Sequence, residues 1–243
     1  MTTHLLRFDP DLRLANQWMA AEGLAANGQT DEGYGWHALL CAAFGKDHAP
    51  KPFRIVARRG RPAQLLAYAP LNAAELIARA NAFADPKVFR ALGVDELASK
   101  PMPAFSSGRR LGFSLFLRPV VRTDREGDRA RSREIDAYVH ARDNGDARDR
   151  ATVYLDWARQ RLTAAGAEVE ALRIDGLESV KVARRGVSGE HGRPLKAISG
   201  HALALVGGLR VVDATRFADS IAHGVGRHRA FGFGMLLLTP PET

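Results

Sequence analysis

Apolar residues recur at helical spacing between residues 34 and 44. Trp36, Leu39, Leu40, Ala43 and Phe44 fall at i, i+3, i+4, i+7 and i+8, which predicts a helix that buries one face. Asp31 and Glu32 stand near its start, where carboxylates favour a helix N-terminus. Upstream, HLLRF at residues 4–8 reads as a short strand. The Ala-rich stretch that follows, with turn signals at Asn27, Gly28 and Gly33, leaves room for a short helix around 14–24. Downstream, residues 53–58 and 64–69 read as strands joined by a hairpin turn at Arg59-Gly60-Arg61-Pro62. Asn72 is placed to cap a helix over 73–83 with Leu76, Ile77 and Ala80 along one side. Pro101 and Pro103 confine any strand in 95–105 to a sheet edge. Residues 1–105 therefore run β, α, β, β, α, β, the order of one ferredoxin-like unit.

The second half begins the order again. Residues 111–121 (LGFSLFLRPVV) predict a strand, and 147–165 a helix with Val153, Tyr154, Trp157 and Leu162 on its buried side. Residues 169–174 and 180–184 supply strand material, and 201–206 is expected to pair with 209–212 through a turn at Gly207-Gly208. A helix over 213–223, a glycine-rich loop and a strand at 235–238 complete the unit. The fold class expected is α+β, two tandem ferredoxin-like (RRM-like) βαββαβ domains, at 1–105 and 106–243. Residues 122–144 resist this scheme: polar and charged, they read as a mobile insertion or a loop ordered only by a ligand.

Composition narrows what such a fold would hold. With 46% apolar residues in 243 the chain can bury a core, and Lys plus Arg exceed Asp plus Glu by 35 to 27, a net charge of +8. That balance favours a polyanionic partner. No apolar run approaches the ~20 residues that span a bilayer, and the N-terminus lacks the pattern of a signal peptide, so the cytoplasm is expected and no membrane partner. A single cysteine, Cys41, agrees with a reducing compartment, and the eight histidines show no metal-ligand spacing, so no metal site is expected.

The cations are clustered. Residues 109–133 hold Arg109, Arg110, Arg118 and Arg122 among eight arginines, and residues 181–196 hold Lys181, Arg184, Arg185, Arg193 and Lys196. The third segment is the terminal loop, where Gly224, Gly226, Gly232 and Gly234 surround Arg227, His228 and Arg229. Three such segments are better explained by a phosphate backbone than by separate solvated faces. In a dinucleotide or P-loop motif the glycines follow a strand and open a helix. Here they follow a helix and precede a strand, so no nucleotide cofactor is expected. The reactive pair is Tyr34 and His37, at i and i+3 on one side of a helix. Histidine there can act as general acid or base near neutral pH, and tyrosine can orient it or hold a phosphate oxygen. On pattern alone, a histidine beside core residues is more often a packed, hydrogen-bonded one.

Three features together resemble the CasE family, the CRISPR-associated endoribonucleases of the type I-E Cascade complex. They are Tyr34-Gly35-Trp36-His37, the strand from Gly112 to Pro119 with its Arg118, and the run from Gly224-Val225-Gly226-Arg227 through Gly232-Phe233-Gly234-Met235-Leu236-Leu237. The resemblance implies a protein that binds the stem-loop of a CRISPR repeat and cuts at its 3′ base without metal. The RNA's own 2′-hydroxyl would attack the adjacent phosphate, leaving a 2′,3′-cyclic phosphate, and the protein would stay bound among other Cascade subunits. It implies His37 as general acid or base with Tyr34 beside it. The alternative is a non-catalytic RNA-binding subunit of the same architecture. Residues 9–32 and 122–144 are longer than the family's usual connections, and the second is read as an RNA clamp. Gly35 is awkward inside a helix and suggests a start nearer Trp36.

Overall fold

The structure, a computed structural model, describes residues 2–26, 29–30, 32–58, 60–123, 133–185 and 195–241. Two four-stranded antiparallel sheets organise it, each in the strand order of a ferredoxin-like fold. The first takes β1 (His4–Phe8), β4 (Phe53–Arg58), β5 (Arg61–Ala69) and β6 (Ala98–Pro101) in the order β4-β5-β1-β6. Between them come α1 (Leu12–Ala21), the two-residue strands β2 (Ala25–Ala26) and β3 (Gln29–Thr30), α2 (Glu32–Phe44), α3 (Ala73–Phe83) and α4 (Pro86–Leu92). Leu39, Leu40, Ala43 and Phe44 of α2 meet Leu6, Phe8, Phe53 and Leu65 of the sheet in one buried cluster. Each large side chain so covered contributes roughly 1.5–3 kcal/mol. Asn72 caps α3 in a reciprocal box with Glu75, as the sequence suggested. Helix α4 was not anticipated, although Asp85 caps it, Pro86 opens it and Gly93 closes it at φ 63°.

Helix α2 starts at Glu32, not near Trp36. Gly35 lies within it because α1 crosses there: a Cβ at 35 would stand 2.4 Å from Met19 Sδ. The glycine is a packing requirement, and it draws α1 against α2.

The second sheet takes β7 (Arg110–Leu117), β10 (Ala167–Arg185), β11 (Leu195–Val211) and β12 (Leu236–Thr239) in the order β10-β11-β7-β12. Helices α6 (Arg150–Ala164) and α7 (Ala214–His223) cover it, with Tyr154, Trp157, Leu162, Phe217 and Ile221 buried against Phe113, Leu115 and Leu205. The predicted strand over 111–121 is broken at Arg118-Pro119. Proline has no N–H for the ladder, and the chain continues as β8 (Val120–Thr123), which pairs with β9 (Arg133–Asp136) instead. The expectation of an unstructured 122–144 is corrected: β9 and α5 (Ala137–Asp143) occupy it, with Asp136 accepting from the amides of Tyr138 and Val139 at the helix start. Residues 124–132 and 186–194, with the arginines they carry, lie outside the described residues.

The turn expected at Gly207-Gly208 does not exist either. Strand β11 runs straight through both glycines, paired with β10 on one side and β7 on the other. Neither has positive φ. A Cβ at Gly207 would stand 2.0 Å from the carbonyl oxygen of Ala171, while at Gly208 nothing lies within 4 Å. Gly207→Ala is therefore expected to cost ~1–3 kcal/mol in urea unfolding, and Gly208→Ala to be close to neutral. Equal sensitivity of both positions would return the turn reading.

Strand β7 pairs with β11 only over Leu203–Arg210, so residues 178–185 and 195–202 form a two-stranded ribbon among the described residues. At ~3.3 Å per residue it reaches about 25 Å beyond the third strand. The two sheets also hold each other. Tyr68 of β5 is buried in the second core, its hydroxyl donating to the Leu236 carbonyl at 2.9 Å, and Arg54 of β4 donates to Ser114 Oγ of β7 at 3.1 Å. Among the described residues no helix is long and apolar enough to cross a membrane.

Candidate functional site

The chain leaves α7 at Gly224 and does not reach β12 until Leu236, and the loop between them is folded into the seam between the two halves. Its glycines carry positive φ: 79° at Gly224, Gly226 and Gly234, and 82° at Gly232. Two of these allow close backbone approach. A Cβ on Gly234 would stand 2.3 Å from the Val225 carbonyl, and one on Gly224 3.0 Å from the Gly234 carbonyl. The loop is pinned by Val225 N–H to Gly234 O and by Gly234 N–H to Phe116 O, both 2.8 Å. These glycines thus serve the loop's own packing, and a short 3-10 turn at Arg229–Phe231 projects from it.

That turn lands on α2. The Phe231 ring lies edge-on to the His37 imidazole at 5.6 Å between centroids, and 5.9 Å from the Tyr34 ring. Gly33 makes this possible, because a Cβ there would come within 2.3 Å of the Phe231 carbonyl. The sequence motif pair and the glycine loop, almost 200 residues apart in the chain, form one site.

His37 is half-buried. Burial lowers its pKa from 6.5, and the positive charge of Lys51 lowers it further. Its Nε2 lies 3.8 Å from the sulfur of Cys41, one turn along the helix, and burial pushes the Cys41 thiol up. An imidazole that resists protonation is neutral at pH 7, with a ring nitrogen able to accept a proton. Next to the Phe231 turn opens a cleft of about 470 Å³, lined in part by Trp36, Arg54, Phe116, Lys181, Phe231 and Phe233 but not by His37 or Tyr34. Arg54 is stacked over Phe116 at 5.8 Å.

The predicted cations are dispersed. Arg227 and His228 are both engaged by Glu134 of β9, through Nε at 2.5 Å and Nε2 at 2.7 Å. Arg229 reaches back to the Gly224 carbonyl at 3.4 Å. Arg110 opens β7 at its far end, about 20 Å along the strand from the loop, and Arg109 immediately precedes it. There Arg110 is 68% exposed and pairs with Glu170 at 2.9 Å. Arg118 is 3% exposed, its guanidinium packed against Gly200, so its charge is not presented at the surface. Arg122 is exposed on β8, and Lys181 on the ribbon. Arg184 and Arg185 occupy the ribbon's outer end, where their side chains are outside the described part. Among the described residues no three His, Cys, Asp or Glu side chains gather as a metal ion would need. Glu134, Phe231 and Arg54 were missed in the sequence. Glu134 lay in a run read as loop, and Phe231 carried no signal beyond its place among the glycines.

A family model described as CRISPR associated protein matches residues 4–240. No curated protein matches the chain. Among solved structures, the Thermus thermophilus Cse3 bound to an RNA representing a pre-cleavage complex is 19% identical with a TM-score of 0.66, over 99% of this chain and 100% of that one. A chain of a CRISPR RNA-guided surveillance complex, pre-nicking, is 17% identical with a TM-score of 0.54, over 98% and 99%. The Cas6e of Escherichia coli K-12 is 14% identical with a TM-score of 0.50, again over 98% and 99%. At these identities the likeness is one of fold.

Proposed function

The chain belongs to the CRISPR-associated protein family, and from that premise we propose that it is a CRISPR repeat endoribonuclease of the CasE type. It binds the stem-loop of the precursor RNA, cuts at the 3′ base, and keeps the product as a subunit of a Cascade complex. The observation that carries this reading is the packing of Phe231, from the glycine loop, onto Tyr34 and His37. The names of its structural neighbours, an RNA-bound Cse3 and a surveillance-complex chain, support it.

The chemistry follows from the neutral imidazole. His37 takes the proton of the ribose 2′-hydroxyl, the 2′-oxygen bonds to the adjacent phosphorus, and the bond from phosphorus to the 5′-oxygen breaks. A 2′,3′-cyclic phosphate remains on one product, and a proton ends on the 5′-oxygen of the other. Tyr34 lies one helical turn away, placed to hold a phosphate oxygen. Nearby cations stabilise the charge that builds on the phosphorus-bound oxygens. Phosphates further along the stem are gripped by the basic ribbon of β10 and β11, with Lys181, Arg184 and Arg185.

The test uses EDTA-treated protein and a labelled repeat from the source genome, once as all-ribose RNA and once with a 2′-deoxy sugar at the cleavage site. Cutting of the all-ribose RNA alone, with a cyclic phosphate end, is expected. Binding without cutting of either RNA would move the assignment to a non-catalytic RNA-binding subunit. Cutting only when a divalent ion is restored would overturn the metal-independent mechanism.

A further inference from the structure

Glu134 belongs to neither the glycine loop nor the helix that bears His37, yet it is the anchor of the turn between them. Its two carboxylate oxygens take one partner each, Arg227 at Oε1 and His228 at Oε2. The hydrogen bond from His228 is the main reason its carboxyl is held at about 2, with Arg227 adding to it. Glu134 is thus ionised throughout the working pH range. His228 is 12% exposed and sits at φ 59°, a backbone conformation that a residue other than glycine keeps only when its surroundings hold it there.

From His228 the contact passes to Phe231. The carbonyl of His228 accepts the Phe231 amide at 2.8 Å, and the two rings lie 6.2 Å apart. Phe231 then covers His37. The line of contact runs Glu134, His228, Phe231, His37.

We propose that Glu134 is a positioning residue for the cleavage reaction: by anchoring Arg227 and His228 it fixes Phe231 over His37 and keeps water from the general base. The inference rests on the reading of His37 given above, but its physical content does not require RNA. An acidic side chain among cations meant for phosphate has an obvious competing explanation, that it merely weakens RNA binding until displaced. The two differ in what happens to His37 in the free protein. Among the described residues the titratable groups set beside His37 are Lys51 and Cys41, with Tyr34 one turn before it on the same helix, and none of them is itself substituted in the variants below.

The experiment follows the His37 imidazole resonance through a pH titration, without RNA, in the full chain and in Glu134→Gln, Glu134→Asp, His228→Gln and Phe231→Ala, each checked for an unchanged circular dichroism spectrum. Release of the turn lets water reach His37, so Glu134→Gln, His228→Gln and Phe231→Ala are expected to raise its titration midpoint toward 6.5. Glu134→Asp should retain more of the wild-type midpoint than Glu134→Gln. The double variant Glu134→Gln/Phe231→Ala should add nothing to Phe231→Ala. A midpoint unmoved in Glu134→Gln but raised in Phe231→Ala overturns the role of Glu134, and one unmoved in both overturns the role of Phe231 as cover. Tighter RNA binding by Glu134→Gln with His37 unmoved would establish the competing explanation. Should the titrations behave as expected while the wild-type protein cuts no repeat RNA, the positioning stands and the nuclease assignment falls.

Discussion

Replacing His37 with alanine is expected to slow single-turnover cleavage of the repeat stem-loop by ~10²–10⁴-fold, the usual contribution of a positioned general base. RNA affinity should be close to unchanged, because the half-buried imidazole is neutral at pH 7 and contributes no charge to phosphate binding. The sign of the pH dependence follows from the same burial. Desolvation and Lys51 both disfavour the imidazolium, so the base stays competent below its ordinary value and the acid limb of the cleavage profile lies below pH 6.5. Stability runs in the same direction. The unfolded chain binds this proton more readily than the folded one, so the contribution of His37 is full above 6.5 and is lost as pH falls through its lowered folded value. The check is a rate profile from pH 5 to 8 beside a urea midpoint at each pH. An acid limb above 6.5, or an alanine variant that cuts at the wild-type rate, would remove His37 from the mechanism.

The second large effect is on affinity. If the stem is held along its backbone by the ribbon and loop, binding weakens steeply with salt, with a slope of about −0.9 in log K per phosphate neutralised on a duplex. Six such contacts would lose ~10³-fold between 50 and 200 mM salt. Charge removal at Lys181, Arg184 and Arg185 together should flatten the slope by up to about three contacts. The same substitutions at Arg109 and Arg110, which lie at the other end of β7, and at the buried Arg118 test whether those three take part. An unchanged slope in the ribbon variant would place the RNA elsewhere. Fluorescence anisotropy with the stem-loop and an unrelated hairpin of equal length, at matched salt, separates both effects from general attraction to polyanions.

Much of the fold lay open to a reading of local pattern. The spacing of Trp36, Leu39, Leu40, Ala43 and Phe44 marked α2, Asn72 marked the start of α3, and the repeated βαββαβ order implied two ferredoxin-like sheets, which the strand orders bear out. The errors were at glycines and in charged runs. Gly207-Gly208 looked like a turn and is strand interior, and Gly35 looked like a helix start and is helix interior. In both, what the missing Cβ makes room for is remote in the chain: Ala171 for Gly207, Met19 for Gly35. A one-dimensional pattern records that a side chain is absent, not which neighbour requires its absence.

By itself the sequence determined the βαββαβ order behind each four-stranded sheet, the excess of basic charge and the pairing of Tyr34 with His37 on one helix face, because each of these depends on residues within a few turns of one another or on composition alone. Tertiary structure decided which groups surround His37. Phe231 reaches it only because the glycine loop is tied to Phe116 and Glu134, and Arg118 leaves the surface only because Gly200 admits its guanidinium. Desolvation and ion pairing act over a few ångströms in space, whatever the separation along the chain, and they were settled when the two sheets closed on the loop between them.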